Sequence, residues 1–201
     1  MKRILLFIFA AIFVTFSPFS TVSAQSEKNE VERSIDREDM PARVLNLIDE
    51  FWPNLRGIRY YEQIGGEDLV YEVKLEWQDS EYSIEFTIDG NITDVEKVIN
   101  FNDIPESTRD AITRDLESQF NRHRLTRIQI QYIHTDEDDE DDADFIEDIL
   151  EQDADDYEIR YEIEVDGESR RELGSFEMLY TESGSLIQKR RIVRRSLDNI
   201  W

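Results

Sequence analysis

Two stretches of the chain repeat apolar residues on a three-to-four-residue period, and several others place them at every second position. After Pro41, the residues Val44, Leu45, Leu47, Ile48, Phe51 and Trp52 fall on one face of a predicted helix. After Pro105, Thr108, Ala111, Ile112, Leu116 and Phe120 draw a second stripe of that kind. Each proline suits a first helical turn, where no amide hydrogen is needed, and Asp39 and Asp103 place a carboxylate just upstream, where the helix dipole favours it. Strict alternation marks the strands: Tyr71, Val73, Leu75 and Trp77 are interleaved with Glu72, Lys74 and Glu76, and Tyr161, Ile163 and Val165 with Glu162 and Glu164. Strands are expected near 58–63, 69–77, 81–88, 92–99, 125–134, 157–165, 175–181 and 186–194, with Gly65-Gly66, Asp89-Gly90 and Asp166-Gly167 as turns.

These elements fall into two similar halves. Tyr71 matches Tyr161 at an offset of 90, and Tyr82, Ile84 and Phe86 match Phe176, Met178 and Tyr180 at an offset of 94. The helix-opening prolines are only 64 apart, so the second half carries extra chain. The acidic run 136–156, in which 14 of 21 residues are Asp or Glu, supplies most of it. The predicted fold is α+β, with two tandem helix-plus-antiparallel-meander repeats and a sheet carrying its helices on one face. The helices would cover Tyr71, Val73, Tyr82, Ile84, Phe86, Ile159, Tyr161 and Ile163. The opposite face would be polar and open, with Glu72, Lys74, Glu76, Ser83, Glu85 and Thr87 in one half and Glu158, Arg160, Glu162 and Glu164 in the other.

The organisation predicted is a signal peptide over 1–24, a disordered linker over 25–37, a first unit over 38–100, a second over 101–195 containing the insertion 136–156, and a tail over 196–201. Met40-Pro41-Ala42, Phe51-Trp52-Pro53, Val70-Tyr71-Glu72-Val73, the run from Tyr82 to Phe86 before Asp89-Gly90, and Asp103-Ile104-Pro105 together resemble the PepSY-like, β-lactamase-inhibitor-like family of small exported bacterial proteins. The resemblance implies a non-catalytic binding or inhibitory domain. The second half departs from the pattern in lacking the aromatic-proline helix ending.

The N-terminus has the parts of an export signal: Lys2 and Arg3, an apolar run from Ile4 to Phe16, and a Val22-Ser23-Ala24 cleavage site that would leave Gln25 first. That predicts a periplasmic or secreted protein with no stable membrane insertion after cleavage. Absence of cysteine excludes disulfides and leaves stability to a core. The formal charge of −24, or −26 without Lys2 and Arg3, argues against nucleic acid as a partner.

Chemistry is sparse. His123 and His134 read as lone exposed histidines, and no phosphate loop or serine nucleophile elbow is present, so no catalytic residues and no cofactor are assigned. The leading function is recognition of another exported protein through the polar sheet face or its loops, with Glu72, Lys74, Glu76, Glu85, Thr87, Glu158, Arg160 and Glu162 as contact residues. A rival is an extracytoplasmic calcium or cation binder. Asp136, Asp138, Glu140, Asp142, Asp144 and Glu147 occupy the ligand positions of an EF-hand loop, although Asp141 stands where glycine is needed. A hydrolase is a further alternative. The insertion reads as a dispensable acidic loop in which Phe145, Ile146, Ile149 and Leu150 form a short docking helix. The basic run Lys189, Arg190, Arg191, Arg194 and Arg195 is expected to balance charge internally, against that insertion.

Overall fold

Period-two patterning gives this chain a single large sheet, seen in a computed structural model that describes residues 26–28, 30–65, 68–134, 141–152, 154 and 157–192. The predicted signal peptide, the early part of the acidic run and Arg194 and Arg195 lie outside the described residues. In chain order the elements are β1 (Ser26–Lys28), β2 (Glu30–Ile35), α1 (Ala42–Phe51), β3 (Arg59–Gly65), β4 (Asp68–Trp77), β5 (Ser80–Phe86), β6 (Ile92–Val98), α2 (Glu106–Gln119), β7 (Arg122–Ile133), α3 (Asp142–Glu151), β8 (Glu158–Glu168), β9 (Leu173–Thr181) and β10 (Leu186–Ile192). The fold is α+β, as predicted.

Strands β2 to β10 pair antiparallel in sequence order, and β1 adds parallel to β10. β1 and β2 therefore occupy opposite ends of the strand order, yet only one residue separates Lys28 from Glu30. Two successive peptide links span at most about 7 Å between Cα atoms, so the two edges of the sheet meet and it closes on itself. Strand β2 is a correction, because residues 25–37 were expected to be a disordered linker. Its backbone pairs with β3 from Glu30↔Gly65 to Ile35↔Tyr60.

Alternation sends the apolar residues to the outside of this curled sheet, where the helices cover them. α1 contributes Val44, Leu47 and Ile48, followed by Trp52, against Val73, Leu75, Ile84 and Phe86. α2 contributes Ile112 and Leu116, followed by Phe120, against Ile163, Val165, Phe176 and Met178. Tyr71 and Ile159 are half-buried at the margins of these two clusters. Pro41 and Pro105 act as N-caps in extended conformation, one residue outside the first turn. Asp103 accepts from the Asn100 backbone and so caps a short 3-10 turn rather than α2.

The acidic insertion is not a solvated loop throughout. α3 lies between β7 and β8, starts at Asp141, whose carboxylate accepts from the backbone of Ala143 and Asp144, and buries Phe145, Ile146 and Ile149 in the same cluster as α1. Its apolar face completes the core over β4–β6, so the segment is structural and the expectation of dispensability is corrected.

Gly167 is likewise not a turn residue. It sits within β8, and a Cβ placed there would lie 2.5 Å from the Phe120 ring, so glycine is needed for close approach. Gly184, at φ +80° in the β9–β10 hairpin, faces α2, where a Cβ would lie 2.7 Å from the Thr108 carbonyl oxygen.

Candidate functional site: a polar recess inside the sheet

Curling places the polar faces of the strands on the inside. They enclose a recess of about 800 Å³ lined from β2 through β8 and by β10, and Glu32 and Arg190, from opposite ends of the strand order, line it together. Register sets the polar residues of this face in cross-strand rows, all of which line the recess except Asp94 and Arg160. One row runs Tyr61, Glu72, Glu85, Asp94, and the next runs Ser83, Glu96, Gln131, Arg160. Burying so many ionisable groups is costly unless each is paired, and pairing is extensive. Lys74 Nζ reaches Glu32 Oε2 at 2.7 Å and Glu72 Oε2 at 3.1 Å, while the Ser83 hydroxyl donates to Glu72 Oε1. The Gln129 amide donates to Glu96 Oε2, and Gln131 Nε2 lies 3.4 Å from Glu96 Oε1. Arg190 pairs with Glu177, which is only 2% exposed. Burial opposes the Lys74 ammonium, but Glu72 and Glu32 outweigh it and hold its pKa above the ordinary value.

Asp94 is the exception. Burial, with the nearby Glu72 charge adding to it, pushes its carboxyl up to about 6 despite help from Gln131, Thr93 and Arg160. Its Oδ2 is 3.4 Å from the Thr93 hydroxyl, and its buried Oδ1 has no hydrogen-bond partner.

Four of the eight predicted contact residues, Glu72, Lys74, Glu85 and Glu162, line the recess. Glu76 is exposed beyond its end, Thr87 lies in the β5–β6 connection and accepts from the Asn91 amide, and Arg160 pairs with Glu158 at 2.7 Å. The polar face exists, but it is not the open surface expected: Glu72, Ser83, Asp94, Glu96 and Gln129 are all buried. Among the lining residues Arg59 and Glu81 are exposed, and Arg127 Nη1 lies 3.6 Å from Glu81 Oε2. Alternation identified the polar rows but carried no signal that they curl inward or that Asp94, Glu96 and Gln129 belong to them.

Of the proposed calcium ligands, Asp136, Asp138 and Glu140 lie outside the described residues. Asp142 is committed to Arg43 Nη2 at 2.7 Å, and among the described residues no three acidic or histidine side chains are grouped to hold a metal ion. His134 is half-buried rather than exposed, with its ring 4.6 Å from Phe145. Among the described residues of the basic run, Lys189 pairs with Glu172, Arg190 with Glu177, and Arg191 donates to the Leu173 carbonyl at 2.9 Å, so these three engage β9 and the connection before it.

No family model matches this chain, and no curated protein matches it. Solved structures do. A DUF2874 family protein from Bacteroides ovatus superposes with a TM-score of 0.50 at 10% identity, covering 75% of this chain and 86% of that one. A protein from Bacteroides eggerthii named for a periplasmic location gives 0.50 at 12%, covering 75% and 88%. A BLIP-like protein from Bacteroides fragilis gives 0.47 at 17%, covering 80% and 92%. At these identities the first two show a shared fold. Among the described residues no helix is long and apolar enough to cross a membrane.

Proposed function

We propose that the chain is an exported, non-catalytic binding domain of the PepSY-like, β-lactamase-inhibitor-like kind, made of two helix-and-meander units, and that it recognises another exported protein at the mouth of the recess. The observation that carries this reading is the recess itself, a paired and pre-formed polar cavity lined at its rim by the exposed Arg59 and Glu81 and the half-buried Arg127. The export signal at 1–24 and the Bacteroides eggerthii neighbour support a periplasmic or secreted location. A protein partner contacts mouth residues first, and Glu72, Lys74, Glu85 and Glu162 act from within.

The test is capture from exported proteins with the chain lacking residues 1–24, compared with the charge reversals Glu81→Lys and Arg127→Glu. A partner retained by the parent and lost by both variants supports the reading. Equal capture by all three removes the mouth from recognition.

A further inference from the structure

We propose that the outer edge of β2 is a docking site for the chain's own C-terminal segment, with residues 194–199 added beside Glu30–Ile35 as a parallel strand that continues β10.

β2 pairs with β3 along one edge, and among the described residues no strand pairs with its other edge. Six residues of unpaired strand backbone are a template for a further strand. The edge carries neither proline nor bulge to refuse one, and Glu32, Arg33 and Ser34 are exposed along it.

Register names the occupant. Each β1 residue stands beside the residue 164 positions further on, Ser26 beside Arg190 and Lys28 beside Ile192, and β1 leads into β2 across residue 29 alone. The strand face is kept across that link. Arg190, level with Ser26, and Glu32, six positions after Ser26, both line the recess, as one uninterrupted strand of period two requires. Carried forward, the same register brings Arg194 level with Glu30 and Asn199 level with Ile35. The described part of β10 ends at Ile192, two positions short of that edge, and the nine residues that follow suffice to cover all six positions of β2.

The segment's sequence fits the place. Its recess-facing positions are Arg194, Ser196 and Asp198, all polar like the neighbouring rows, while Val193 and Leu197 fall on the opposite side. The basic start, Arg194 and Arg195, meets the acidic start of β2, Glu30 and Glu32, and Asp198 comes level with Ser34, next to Arg33. A second copy competes for the same edge, but a segment tethered two residues away is present at about millimolar effective concentration.

The chain has no cysteine, so introduced pairs report cleanly. Arg33→Cys with Leu197→Cys lies in register, with Cα atoms about 4.8 Å apart, inside the range a disulfide spans. Arg33→Cys with Arg195→Cys is displaced by two residues, to about 8 Å, outside that range. The exported protein is oxidised mildly and its crosslinks are mapped by mass spectrometry. The in-register pair is expected to close within one chain and the displaced pair to stay open.

Hydrogen exchange supplies the second arm. In the full chain the β2 amides directed away from β3 should be protected, and ending the chain at Ile192 should speed their exchange about tenfold or more, equivalent to about 1.4 kcal/mol. Should the shortened chain not fold, the double change Arg195→Pro with Ser196→Pro takes its place, since one of two successive amides must be aimed at β2. The proposal is overturned if both cysteine pairs close equally, if neither closes, or if outward β2 amides exchange alike with and without the segment. Crosslinks between two chains also overturn it and give the edge to a second copy. None of these results alters the reading of the recess, which capture through Glu81 and Arg127 tests separately.

Discussion

Arg43 on α1 and Asp142 at the start of α3 are joined by an ion pair of 2.7 Å, and Asp142 Oδ1 also lies 3.4 Å from the backbone nitrogen of Ile92 on β6. One side chain thereby ties two helices and a strand. The pair is half-exposed on its arginine side, so most of its stabilising effect comes from placing α3, whose apolar face fills the first core cluster.

The core role of α3 sets the first prediction. Phe145→Ala should destabilise by about 3 to 5 kcal/mol, as truncation of a buried aromatic does, because Phe145 is fully buried and packs on both His134 and Tyr157. Replacing 141–152 with a short turn should cost at least as much. Urea melts of both variants check this, and a loss below about 1 kcal/mol in either would return the segment to the solvent.

Gly167→Ala should be among the most damaging single-methyl additions. The strand backbone cannot retreat without disturbing its pairing with Arg122–Arg124 on one side and Gly174 on the other, so the Phe120 ring must move out of the second cluster. Overpacking of this kind costs about 1 to 3 kcal/mol. The companion change Gly167→Ala with Phe120→Leu should recover part of the loss in thermal melts.

The buried carboxyl gives a pH dependence whose sign follows from linkage. Asp94 titrates near 6 when folded and near 3.8 as an ordinary carboxyl, so the folded state holds the extra proton between those values. This group's contribution therefore weakens stability as pH rises from about 4 to about 6, and its penalty is fully present above that window. Asp94→Asn should be more stable than the parent at pH 7, on the order of a few kcal/mol, and should flatten the curve of stability against pH between 4 and 6. Chemical denaturation at several pH values measures both effects.

Lys74 and Glu76 are two residues apart on β4 and point to the same side, yet they should respond differently. Lys74→Ala leaves Glu72 without its cation inside the recess and should cost about 1 to 3 kcal/mol. Glu76→Ala, at an exposed position, should change stability by less than about 0.5 kcal/mol. Equal effects in urea melts would mean that the recess pairing adds nothing.

Period-two alternation made β3 to β10 legible because each strand sets one apolar face against one charged face, and the helix stripes were legible for the same reason at period 3.6. β2 was missed because Glu30–Ile35 has too few apolar residues to show alternation against its charges. α3 was visible as a helix face in Phe145, Ile146 and Ile149, but the surrounding carboxylates disguised it as surface. The inward curl was invisible, since closure depends on where β1 pairs and not on any side-chain pattern. Without the curl, Asp94 reads as one more exposed acid.

Closure by β1 also dictates an order of assembly. The strand that seals the ring comes from the start of the chain and pairs with Arg190, Arg191 and Ile192 near its end. Residues synthesised first must therefore wait for nearly all of the described chain before their partner appears. Such pairing closes the largest loop among the described strand pairings and belongs among the slow, late steps of folding. Until then the half-built recess lies open along a seam, a trough rather than a chamber.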